Sequence, residues 1–190
     1  MKTITHFPMA DKNGTIHFMD TMIIGCGNWW CGDDAVGPTL IQRLRELGLD
    51  AYVRLLDAGT TALDAAFQMR GMQRVIVVDA ARTGQAPGTL SQLSGELLEQ
   101  LPPPQVLHTH TLRWDHSLAF GRWLLQEEYP RELLVYLIEG ACFDPGAPLS
   151  NSVAMRVETL AQQLVAELLP DRSPPTHGAA PGRSPTADQA

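Results

Sequence analysis

Cysteine is scarce in this chain. Cys26, Cys31 and Cys142 are an odd number, and no CxxC pair occurs. That usage argues against a disulfide framework and fits a reducing cytoplasm. Positive charge is also short. Fourteen Lys and Arg stand against 21 Asp and Glu, for a net charge of −7. An acidic surface is a poor partner for nucleic acid or an anionic membrane, so neither is expected. No apolar run reaches the length of a membrane span. The first residues, MKTITHFPMADKNGTIHFMD, have neither a long apolar core nor a small-residue cleavage site, and no signal peptide is expected there. Walker-type phosphate loops, HExxH metal motifs and GxSxG nucleophile elbows are all missing.

What is present fits one domain. Apolar residues make up 44% of 190 positions, enough for a sizeable core. Residues 1–19 are weakly patterned and read as a leader, either an extra strand or flexible. Residues 170–190 carry five of the 14 prolines and read as a disordered tail. Between them, over 20–169, strands and helices alternate. Thr21–Gly25 is strand-like. Pro38 suits a first helical turn, and Leu40, Ile41, Leu44 and Leu47 recur at helical spacing until Gly48. Tyr52–Leu56 is a second strand, ending at Asp57. A short helix follows through Met69. Val75–Val78 is a buried strand ending on Asp79. Prolines 102–104 break the chain. Trp114, Leu118, Gly121 and Leu125 share a helical face, and Leu133–Ile138 is another buried strand. Ser150 stands where an N-cap would, before a helix turning Val153, Val157, Leu160, Leu164 and Leu168 inward. The expected fold is α/β: a single three-layer domain with a twisted, mostly parallel sheet between helices.

In such sheets ligands gather beyond the carboxyl ends of the strands. The polar residues there are Asn28, Asp33 and Asp34 after the first strand, Asp57 after the second and Asp79 after the third, with His108 and His110 before a later helix. Gly25-Cys26-Gly27 begins like a dinucleotide fingerprint, but the third glycine would fall on Trp30, and two aspartates would repel a pyrophosphate. Carboxylates with imidazole suit a borderline divalent ion such as zinc or nickel. Plainer readings stand beside this one. Asp34 could cap the helix near Pro38, Asp79 could bond loop amides, and His110 could be a packed histidine. Trp29 and Trp30 could be packing or an exposed apolar lip, and Cys26 and Cys31 small buried fillers.

The order GCGN, GDDAVGP, DAGTT, VIVVDA with APGTL, and HTHTL resembles the hydrogenase maturation endopeptidases. The resemblance covers Met22 to Leu169. It implies a phosphorylase/hydrolase-like fold and an endopeptidase that removes a C-terminal extension from the nickel-loaded precursor of a nickel–iron hydrogenase large subunit. Position by position, the family's two metal-binding acids fall on Asp34 and Asp79 and its histidine on His110. Gly25, Gly27 and Asn28 would shape the loop, with Asp33 and Asp57 supporting it. The nickel would come with the precursor, although other divalent metals could bind in vitro. Asp33, Asp57 and His108 are the candidate bases. Trp29-Trp30 is bulkier than the aliphatic pair usual there. A cytoplasmic monomer is expected, and the alternative is a non-catalytic chaperone that holds metal or precursor on the same fold.

Overall fold

The computed structural model describes residues 20–60, 63–95 and 114–169. The expected leader and tail, the proline break and the HTH segment with His108 and His110 lie outside these residues.

Among the described residues, five strands form one sheet: β1 (Thr21–Cys26), β2 (Arg54–Gly59), β3 (Arg74–Ala81), β4 (Leu90–Ser94) and β5 (Glu132–Glu139), in the order β2-β1-β3-β5-β4. The first four in that order run parallel, and β4 closes the edge antiparallel to β5. Among the described residues, four α-helices cover the sheet: α1 (Val36–Glu46), α2 (Leu63–Gln68), α3 (Trp114–Leu125) and α4 (Asn151–Leu168). None is long and apolar enough to cross a membrane.

The two faces follow from strand alternation. Ile23 of β1 and Ile76 and Val78 of β3 join Leu40, Ile41 and Leu44 of α1 and Val153, Val157, Leu160 and Leu164 of α4 in one apolar cluster. The residues between them, Met22, Ile24 and Cys26 with Val75 and Val77, pack on the other side against Ala65, Ala66, Met69, Leu118 and Leu125. All six residues of β1 are buried, as a strand covered on both faces must be. Truncating a fully buried Leu or Ile here to Ala should cost about 2–5 kcal/mol.

Close approach of α1 to β1 depends on two glycines. A Cβ on Gly25 would strike the Gly37 carbonyl and come 2.7 Å from Ile41 Cγ1. A Cβ on Gly37 would strike the Cys26 backbone and come 2.7 Å from the Val78 carbonyl oxygen. Gly25 was expected to help turn the chain. It instead lies within β1 as a packing contact, and Gly37 supplies the helix–strand clearance that Trp30 could not.

Strand boundaries also differ from expectation. Tyr52 follows a 3-10 turn at Leu49–Ala51, and β2 begins at Arg54 and runs on through Asp57 to Gly59. Strand β3 continues three residues past Val78, so Asp79 pairs with Leu137 inside the ladder. Backbone pairing does not stop where apolar side chains do, because the ladder bonds through N–H and C=O groups that every residue carries. Strand β4, LSQLS, was not foreseen.

Candidate active site

Strand β1 leaves the sheet through Gly27, whose φ of 127° no L side chain adopts readily and whose Cβ would strike the Asp34 carbonyl. The Gly27 N–H donates to the Gly59 carbonyl at 2.9 Å and ties the end of β1 to that of β2. Asn28 then organises the loop with three groups. Its N–H donates to Asp34 Oδ2 at 2.9 Å, its Oδ1 accepts from the Trp30 N–H at 3.0 Å, and its carbonyl accepts from the Cys31 N–H at 3.2 Å. A 3-10 turn at Gly32–Ala35 leads directly into α1. Asp34 does not cap that helix. Ala35 holds the N-cap position without a side-chain bond, and the Asp34 carboxylate reaches back to Asn28.

The adjacent Asp33 is fully buried. Its carboxylate accepts from the Ala141 and Cys142 N–H groups at 2.6 and 3.0 Å, the Ser150 N–H at 2.6 Å and the Ser150 hydroxyl at 2.9 Å. Ser150 does occupy the N-cap position of α4, but its hydroxyl serves Asp33 rather than the helix. Burial pushes the Asp33 carboxyl upward, and these four donors outweigh it, holding the group below its ordinary range. A carboxylate so placed is a poor base, so its part is to fasten the 140–150 loop beneath the site.

Asp57 and Asp79 stand on either side of the end of β1. Asp57 Oδ1 accepts from the Gly59 N–H at 3.0 Å, and its Oδ2 accepts from the Trp29 indole N–H at 2.9 Å. Asp79 Oδ1 accepts from the Ala80 N–H at 2.8 Å. Both charges act on Cys26, whose thiol is pushed far up, first by burial and then by Asp79 and Asp57. Cys26 is therefore held as a neutral thiol, a poor nucleophile.

Glu139 ends β5 as Asp79 lies near the end of β3, one residue past the apolar run Leu133–Ile138. Its carboxylate accepts from the Thr83 N–H and hydroxyl at 2.7 and 2.8 Å and from the Gly84 N–H at 2.7 Å. Burial opposes its charge, but these donors prevail and hold it low. An acid at the end of so apolar a run was the available signal. Beside it lies an open cleft of about 400 Å³, where the Arg82 guanidinium stands 3.9 Å from the Phe143 ring centre.

Among the described residues no three His, Cys, Asp or Glu side chains are set to hold a metal ion. The carboxylates of Asp34 and Asp79 have the right donor chemistry for a divalent cation but do not complete a site. The candidate third donor, His110, lies outside the described residues.

Fold and site together define a three-layer α/β protein with carboxylates gathered at the carboxyl end of a parallel sheet. A family profile described as hydrogenase maturation protease matches residues 38–167. The Hydrogenase 2 maturation protease of Escherichia coli is 26% identical over 152 residues, covering 79% of this chain and 91% of that protein. The hydrogenase expression/formation protein HupD of Rhodobacter capsulatus is 37% identical over 148 residues, covering 77% and 70%. The crystal structure of the NiFe hydrogenase maturation protease HycI from Thermococcus kodakarensis superposes with a TM-score of 0.66 at 21% identity, covering 79% of this chain and 92% of that one. The chain belongs to the hydrogenase maturation protease family.

Proposed function

We propose that this protein is an endopeptidase that cuts a C-terminal extension from the nickel-bearing precursor of a nickel–iron hydrogenase large subunit. The observation that carries this reading is the placement of Asp34. In a chain of this family, the Asn28 N–H holds the Asp34 carboxylate at the carboxyl end of β1, next to the strand that bears Asp79. Asp34, Asp79 and His110 would meet the nickel that arrives with the substrate. A protein offering so few donors binds such an ion well only when the precursor supplies the rest, so an unloaded precursor is passed over. The ion would polarise the scissile carbonyl or activate water as a Lewis acid. Asp57 is the better carboxylate candidate for proton transfer, because Asp33 is committed to four donors. The work is that of a cytoplasmic monomer meeting its precursor transiently.

The test is a mobility-shift assay on the large-subunit precursor, with and without nickel. Nickel-dependent shortening that is lost in His110→Ala supports the endopeptidase. Stable binding without a cut, where a known processing enzyme cuts its own precursor, would replace it with the chaperone reading.

A further inference from the structure

Trp29 and Trp30 are large apolar side chains left in water, 45% and 78% exposed. Their loop is nevertheless firmly held. The Trp29 indole N–H is bonded to Asp57 Oδ2 at 2.9 Å, the Trp30 N–H to Asn28 Oδ1 at 3.0 Å, and the Trp30 carbonyl accepts from the Gly146 N–H at 2.6 Å. Exposed indoles on a pre-set backbone lose little freedom when something packs on them, which is the physical signature of a binding hot spot. Asn28 bonds both the Trp30 N–H and the Asp34 carboxylate. The loop that carries the indoles is therefore tied directly to the carboxylate of Asp34.

From this geometry we infer that Trp29 and Trp30 form a seat for an apolar side chain of the precursor beside the bond to be cut. Asp57 is the positioning residue that fixes the Trp29 ring. The inference rests on the peptidase reading, because the precursor is the molecule that must enter this crevice. An apolar side chain is the class that fits. With its N–H already given to Asp57, Trp29 offers only hydrocarbon surface, and burying that surface is favourable by about 25 cal/mol per Å².

The experiment is steady-state cleavage of the nickel-loaded precursor by the full-length protein, with unfolding midpoints measured in parallel. Trp30→Ala should raise KM about tenfold with kcat within about twofold, and Trp30→Phe should recover most of the loss. Trp29→Ala should raise KM less, with kcat within about twofold, whereas Asp57→Ala, which also removes the candidate proton-transfer group, should raise KM to the same degree and lower kcat besides. An unchanged KM in Trp30→Ala, with wild-type cleavage intact, overturns the seat and leaves the peptidase standing. Failure of the wild type to cut overturns both. Concentration-dependent dimerisation abolished by Trp30→Ala would give the surface to a second copy of the chain and overturn the inference.

Discussion

Asp33 and Asp34 are neighbours in the chain and have opposite fates. Asp33 is buried and accepts four hydrogen bonds from a loop more than a hundred residues away. Asp34 is half-exposed and is held by the Asn28 N–H six residues earlier. A 3-10 turn rotates successive side chains by about 120°, so one acid faces the interior and the other the crevice. On the proposed reading, two acids on one short turn thus divide structure from chemistry. Asp33 fastens the loop after β5 and Glu139 the loop after β3, while Asp34, Asp57 and Asp79 surround the end of β1.

That division is open to direct attack. Asp79→Asn and Asp34→Asn should each lower precursor processing by at least about a hundredfold, as loss of a charged metal donor does. The unfolding midpoint should barely move. A folded, fully active Asp79→Asn protein would remove that residue from the metal-binding role. Asp33→Ala should act the other way, through stability. It strands three N–H groups and a hydroxyl, and the loss should be about 3 kcal/mol in denaturant unfolding. A change under about 1 kcal/mol would mean that the 140–150 loop is held by other contacts.

Gly37→Ala sharpens the same contrast from the backbone. In an open helix this change stabilises by about 1 kcal/mol. Here the added Cβ meets the Cys26 backbone and the Val78 carbonyl oxygen, so a loss of about 2 kcal/mol is expected by thermal unfolding. The acid limb gives a finer test. Asp33 ionises below its ordinary value of 3.8 in the folded protein. Its contribution is therefore complete above the unfolded value and fades as pH falls through the lower folded one. In Asp33→Asn the slope of stability against pH should flatten below about pH 4. The smallest effect belongs to the surface. Arg43 Nε lies 2.7 Å from Glu158 Oε2 and links α1 to α4, with Arg43 part-exposed and Glu158 exposed. Glu158 titrates at about 2, yet solvent and salt screen such pairs, and Glu158→Gln should leave the unfolding midpoint nearly unchanged.

Much of this architecture can be read from the chain. Helices α1 and α4 bury the apolar residues that recur at helical spacing, and VIVV and LLVYLI lie in the centre of the sheet. Strand β4 escaped because an edge strand is half-solvated, so LSQLS carries little apolar signal and takes its partner from β5. The motif aspartates were visible as a group, but their division of labour was not. Asp33 is defined by Ser150, Ala141 and Cys142, and no local pattern announces contacts across that separation. Likewise, Gly25 resembled part of a turn until α1 was seen lying against it.

The alternation of apolar strands and amphipathic helices was settled by the linear order of side chains, because burial on one face or two imposes a period on the chain itself. So was the set of acids that follow the strands. The tertiary structure alone decided which acid is buried, which loop Glu139 clamps, and that Asp57 holds an exposed indole in place. Hydrogen-bond saturation and desolvation depend on groups distant in sequence, and they exist only once the strands have brought those groups together.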